Sequence, residues 1–224
     1  MKIGMLTIGQ SPRDDIIPEI REVLGSEVDI VEKGVLDGLR LKEIDDFYSR
    51  KSDPILITRM NDGTEVKITK NHVIARIKDC ILELEAKGVE ISILLCTEDF
   101  SEIKSKKILL QPGRLLKSMV KAILNKGKLG VIIPSFDQIQ DIKKKWRSTD
   151  FAVVAGAVSP YTGTEKEIIE IANRFRNLKV DMVILDCIGF NKMTKAVFRE
   201  ITQKPVLLPR TIIGRIAREI IETR

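Results

Sequence analysis

The chain has 224 residues, of which 43% are hydrophobic and 31% charged, ordinary for a globular protein with enough length for one core or two small ones. No apolar run reaches the ~20 residues of a membrane helix, and Lys2 leads straight into a strand-like segment without a signal-peptide layout, so a cytoplasmic protein with no membrane partner is expected. The net charge of +6 permits nucleic-acid binding, but the Lys and Arg residues are spread over nearly every expected helix and aromatic residues make up only 4%, so no nucleic-acid partner is expected.

The first apolar run, Lys2 to Ile8, has strand length, and Gly9-Gln10-Ser11-Pro12-Arg13-Asp14-Asp15 reads as a loop and the first turn of a helix. Ser11 is the expected N-cap and Pro12 the first helical residue. The amides of that helix start, with Thr7, Gly9, Gln10, Ser11 and Arg13, would form a cradle for a carboxylate or phosphate. A well-capped helix with no ligand is the plain alternative.

The helix ends at Gly25, and Val28 to Val31 forms a second strand. Gly34 to Ser52 reads as an insertion with short helical material. Two alternating runs, Ile55 to Met60 and Glu65 to Ile68, flank an Asn61-Asp62-Gly63 turn and specify a β-hairpin. Arg59, near its tip, could clamp a carboxylate.

Asn71 is the expected cap of a helix whose apolar stripe runs from Val73 through Cys80 to Leu84, which makes Cys80 a core residue. His72, the single histidine, falls in its first turn and is read as a surface residue. Val89 to Glu98 is a buried parallel strand carrying Cys96 near its end, followed by a basic helical segment. The basic clusters Lys104 to Lys107 and Lys143 to Arg147 are both placed on solvated helix faces. Ile108 to Leu110 then leads to Gln111-Pro112-Gly113-Arg114 and a helix over Leu115 to Leu124.

At Lys128 the chain restarts, because Lys128 to Ser135 reproduces Lys2 to Gly9 position by position in residue type. A helix from Ser135, a strand from Phe151 and a Thr164/Glu167 capping box opening a helix to Asn177 follow. Val180 to Phe190 then repeats the first cysteine strand and delivers Cys187. Pro205 to Leu208 makes a last strand, and a closing amphipathic helix ends the chain.

One cysteine at a strand end is most often a small core residue. Two at equivalent places in two repeats, at the sheet edge where α/β folds bind ligands, favour chemistry. Three cysteines without CxxC spacing exclude a disulfide framework, a zinc site and a redox motif, so no metal is expected.

Two βα halves, each ending a central strand in Cys, resemble the aspartate/glutamate racemase superfamily. Leu6-Thr7-Ile8-Gly9, Asn61-Asp62, Pro112-x-Arg114, Gly130 to Pro134, Leu185-Asp186-Cys187-Ile188-Gly189-Phe190 and Pro205 to Leu208 look more narrowly like the AroM family. The resemblance implies an α/β fold of two pseudo-symmetric Rossmann-like lobes with parallel sheets, the first bearing the hairpin insertion. Residues 1–125 with 209–224 would form the first lobe and 126–208 the second, with the site in the cleft between them.

It also implies cofactor-independent proton transfer, with Cys96 and Cys187 as the catalytic pair and a small-molecule carboxylate as partner. Thr97 and the Thr7 to Ser11 loop would be substrate-binding, and a homodimer is the oligomer left open. After Cys187 the pattern departs, since the racemases carry Thr and often His where this chain has Ile188-Gly189.

Removing a proton next to a carboxylate needs a base and donors for the enediolate. The thiols would supply the first, and the backbone amides after Cys96 and Cys187 (Thr97, Glu98, Ile188 and Gly189) with the Thr7 to Ser11 loop the second. Asp186, Glu98 and Asp99 are candidates for orienting the thiols, Asp186 a weak one because its charge would oppose the thiolate. Two other readings are carried forward: a non-catalytic carboxylate-binding sensor, and an isomerase or decarboxylase that uses one Cys.

Overall fold

The computed structural model describes residues 1–45, 53–146 and 150–222. The chain divides into two compact units, Met1–Leu115 with Arg210–Arg224, and Leu116–Pro209. The part of the insertion over 46–52, and Arg147, lie outside the described residues.

In the first unit, β1 (Lys2–Thr7), β2 (Asp29–Gly34), β5 (Ile91–Leu95) and β6 (Ile108–Leu110) form a parallel sheet in the order β2-β1-β5-β6. All five residues of β5 are buried, as a strand covered on both faces requires. The hairpin β3 (Ile55–Arg59) and β4 (Glu65–Thr69) is a separate antiparallel pair. Its turn closes through Gly63 N–H to Met60 O at 3.1 Å, with Gly63 at φ 98°.

Helices α1 (Ile17–Leu24), α2 (Leu41–Ile44) and α3 (Lys70–Ala86) complete most of this unit. Val73, Ile77, Cys80, Ile81 and Leu84 of α3 are all buried in one core with Leu6, Leu94, Cys96 and Phe100. The periodicity of the apolar positions placed that stripe correctly.

The second unit repeats the plan. β7 (Lys128–Ile133), β8 (Ala152–Ala157), β9 (Met182–Leu185) and β10 (Val206–Leu207) form a parallel sheet in the order β10-β9-β7-β8. Read from the other side it is β8-β7-β9-β10, which matches β2-β1-β5-β6 strand for strand. After α4 (Pro112–Ile123), the helices α5 (Ile139–Lys145), α6 (Glu165–Asn177) and α7 (Lys192–Thr202) connect these strands. Thr164 and Glu167 cap α6 reciprocally, as their spacing specifies. The core is built on Phe175 and Phe198, whose rings meet edge-on at 6.2 Å.

The last helix, α8 (Pro209–Glu222), lies against α1, where a Cβ on Gly214 would stand 3.3 Å from Val23 Cβ. Arg210, 1% exposed, donates to Asp15 O at 2.9 Å. The fold class is therefore as expected, α/β with two parallel sheets and a hairpin in the first unit. Among the described residues no helix is long and apolar enough to cross a membrane.

Three local expectations are corrected. Helix α1 begins at Ile17, with Ile16 as N-cap and Pro18 in its first turn, not at Ser11-Pro12. Ser11 is instead taken by Asp37, which accepts from its amide at 2.7 Å and its hydroxyl at 2.8 Å, and Glu32 takes the Arg13 amide at 2.7 Å. These acceptors lie 26 and 19 residues away in sequence, beyond helix α1, out of reach of any local capping rule.

The second correction is at α3, whose N-cap is Thr69; Asn71 lies inside the first turn and donates to Asp53. The third is the basic segment over 101–107, a loop rather than a helix. Phe100 and Ile103 are buried in the core, Lys70 donates to Asp99 O and pairs with Glu102 at 3.0 Å, and Glu85 accepts from Ser105 and Lys106. Burying two apolar residues three apart and satisfying those groups outweighs a helix propensity worth only tenths of a kcal/mol per residue.

Candidate functional site

Each cysteine leaves its strand through the same turn. Cys96 N–H donates to Leu94 O at 2.8 Å, and Cys187 N–H donates to Leu185 O at 2.8 Å. Cys96 Sγ accepts the amide of Glu98 at 3.5 Å, and Cys187 Sγ accepts the amide of Gly189 at 3.4 Å. The cysteines are 8% and 7% exposed. A backbone N–H aimed at sulfur favours the thiolate over the thiol. It also means that the Glu98 and Gly189 amides, expected to face an enediolate oxygen, are directed at their own sulfurs.

Thr97 and Ile188, the residues after each cysteine, are 7% and 3% exposed, so the departure at Ile188 puts an apolar side chain in a buried place. Cys80 differs from the other two thiols. Burial pushes it up to about 11, and its sulfur lies 3.8 Å from Gly34 O, so it stays protonated in the core at neutral pH.

The Thr7 to Arg13 loop is closed by the protein's own groups, which corrects the expectation of free amides there. Gly9 N–H goes to Thr7 Oγ1 at 3.1 Å and Gln10 N–H to Arg59 O at 3.1 Å. The Gln10 side chain donates to Leu36 O and Leu39 O and accepts from Asn61 N–H at 3.0 Å. A Cβ on Gly9 would stand 2.4 Å from Arg59 O, so only glycine allows the hairpin this close.

Arg13, 1% exposed, puts Nη1 on Thr7 Oγ1 at 2.8 Å and binds Asp15 through Nε and Nη2, both at 2.8 Å. Arg59 stands 4.0 Å from the same carboxylate. These residues meet as a latch between loop and hairpin. One buried hydroxyl here, Thr58 Oγ1, has no hydrogen-bond partner among the described residues.

Burial alone would lift the Asp15 carboxyl, but the hydrogen bonds and charge of Arg13, with the charge of Arg59, hold it below the ordinary 3.8. A carboxyl depressed on folding contributes stability above its unfolded value, lost as pH falls through the folded value. Asp15→Asn should therefore melt below wild type near neutral pH. The two curves should converge at the acid end of thermal melts between about pH 2 and 6, and parallel curves would refute this.

The second unit holds a pair that the residue pattern did not reveal. Lys145 Nζ donates to both oxygens of Asp186, at 2.9 and 2.7 Å, with side-chain exposures of 12% and 1%. Lys145 is thus not on a solvated face, as its place in a basic run suggested. It neutralises the charge beside Cys187, which removes the objection that Asp186 opposes a thiolate there. A helix-face count around α5 could have flagged Lys145, but not its partner 41 residues away.

A family model described as "AroM protein" matches residues 3–221. No curated protein matches the sequence. Among solved structures, the fold is similar to glutamate racemase from Aquifex pyrophilus, with TM-score 0.60, 15% identity, and 98% of this chain and 84% of that one covered. It is similar to the maleate isomerase Iso from Pseudomonas putida S16, with TM-score 0.62, 12% identity and coverages of 99% and 93%. A third is arylmalonate decarboxylase, with TM-score 0.62, 11% identity and coverages of 98% and 91%. At these identities the likeness is one of fold.

Proposed function

The chain belongs to the AroM family, and from that premise we propose that it is a cofactor-independent enzyme of the racemase and isomerase type, moving a proton at the α-carbon of a small carboxylate. The observation that carries the reading is the cysteine turn built twice, with sulfur, strand end and N–H···S bond repeated in both units. A packing role would not require the same turn at both places.

In the proposed step, one cysteine as thiolate takes the α-hydrogen as a proton. The C–H electron pair moves into the carboxylate to give an enediolate, and the other cysteine, as thiol, returns a proton to the carbon. Similar folds named as racemases, an isomerase and a decarboxylase support this class of chemistry. Incubation in deuterated water with amino-, hydroxy- and alkyl-substituted mono- and dicarboxylates should show loss of the α-proton signal for at least one. Binding without exchange across the panel would instead mark a carboxylate sensor.

A second reading rests on Ile188, buried where the racemases have a hydroxyl residue. In it a single cysteine works, in an isomerisation or decarboxylation. Exchange abolished by only one of the two Cys→Ser substitutions, or carbon dioxide release from a substituted malonate, would select it.

A further inference from the structure

Gln111 follows β6 directly and is 5% exposed. Its side-chain Oε1 is enclosed and has no hydrogen-bond partner among the described residues, while its backbone carbonyl accepts the Leu115 amide at 3.2 Å and so opens α4. Enclosing an amide oxygen without a partner costs free energy that a leucine or methionine of similar size would avoid. A polar group kept there at a loss to the free protein points to a partner that arrives from outside.

Its neighbours say which site that partner belongs to. β6 runs beside β5 with Leu110 opposite Ile93, so Gln111 leaves the same sheet edge from which Cys96 emerges. A Cβ on Gly113 would stand 2.3 Å from Thr97 O and 2.6 Å from Glu98 O, so the first turn of α4 lies directly against the Cys96 turn. The enclosed amide, the amino end of a 12-residue helix and the Cys96 turn therefore adjoin.

We propose that Gln111 is a substrate-binding residue of the Cys96 site, its side-chain amide reading an oxygen of the substrate carboxylate. This rests on the reading that Cys96 handles a small carboxylate. A primary amide carries an acceptor and two donors on one planar group and can turn end for end. Turned, it presents N–H to a carboxylate oxygen, the one group that every substrate of the proposed reaction shares. The amino end of α4 favours negative charge at the same place.

The test uses two alkylating reagents of nearly equal size. Iodoacetate is itself an α-substituted carboxylate, and iodoacetamide is its neutral counterpart. Their rate constants at Cys96 are read separately by mass analysis of the Cys96 peptide from full-length protein. In Gln111→Leu the iodoacetate-to-iodoacetamide ratio at Cys96 should fall about tenfold, the loss of one hydrogen bond to a charged group, while the ratio at Cys187 stays unchanged. Gln111→Glu, with the same shape and an added charge, should lower the Cys96 ratio further.

An unchanged ratio in both variants would overturn the proposal. So would a lower melting temperature in both, which would give Gln111 a structural role. The two readings fail separately. No α-hydrogen exchange in the wild type with a falling ratio would sink the proton-transfer reading and leave this inference standing, and exchange with an unchanged ratio would do the reverse.

Discussion

Cys96→Ser and Cys187→Ser are each expected to lower α-hydrogen exchange by about 10²–10⁴-fold, the usual contribution of a positioned acid or base. Serine preserves size and can keep the bond from the amide two residues on, seen here at 3.5 Å for Cys96 and 3.4 Å for Cys187. What it lacks is an accessible anion, since a hydroxyl is far less acidic than a thiol of ordinary pKa about 8.5. Folding should be little changed, because a nearly isosteric polar group replaces one that already accepts a hydrogen bond.

Cys80→Ser provides the contrast, because that thiol is held in the core with its pKa near 11 and should not affect exchange. The measurement is the decay of the α-proton resonance in deuterated water. Exchange that survives both substitutions within threefold or so would remove the cysteines from the chemistry altogether.

Lys145→Leu is expected to destabilise the protein by up to about 3–5 kcal/mol, the cost of removing one partner of a buried ion pair. Asp186 is 1% exposed at its side chain, so its carboxylate cannot recover hydration when the ammonium is removed. Lys145→Leu with Asp186→Leu should regain most of that loss, because removing both charges also removes the desolvation penalty. Urea denaturation of the wild type and the two variants checks both statements, and equal stabilities for the single and double variants would refute them.

The pair also bears on reactivity. With Lys145 gone, the carboxylate beside Cys187 loses its ammonium partner, and the reaction of that cysteine with iodoacetamide should slow at fixed pH. An unchanged rate would confine the pair to a structural role.

Much of the architecture could be read from the chain because its signals are local. Strands buried on both faces require continuous apolar runs, and both cysteine strands have them. The capping box at Thr164 and Glu167 and the Asn61-Asp62-Gly63 turn each complete their bonds within a few residues. The internal repeat was legible for the same reason, and the matching strand orders of the two sheets realise it.

The same locality explains the failures. Ser11 has the residue type of a helix cap, yet Asp37, brought close by the β1–β2 pairing, holds it elsewhere. The segment over 101–107 carries helical composition, but its anchors are Lys70 and Glu85, supplied by α3.

By itself the sequence determined the α/β class, the two parallel sheets, the hairpin and the emergence of Cys96 and Cys187 from equivalent strand ends, because periodicity and turn chemistry act between near neighbours. Only the tertiary structure decided that the Thr7 to Arg13 loop is latched to the hairpin, that Lys145 neutralises Asp186, and that Gln111 is enclosed without a partner. Each of those outcomes depends on which polar groups from distant elements meet once water has been excluded. There an unpaired charge or amide is costly, so the choice of partner is strong but cannot be read from spacing along the chain.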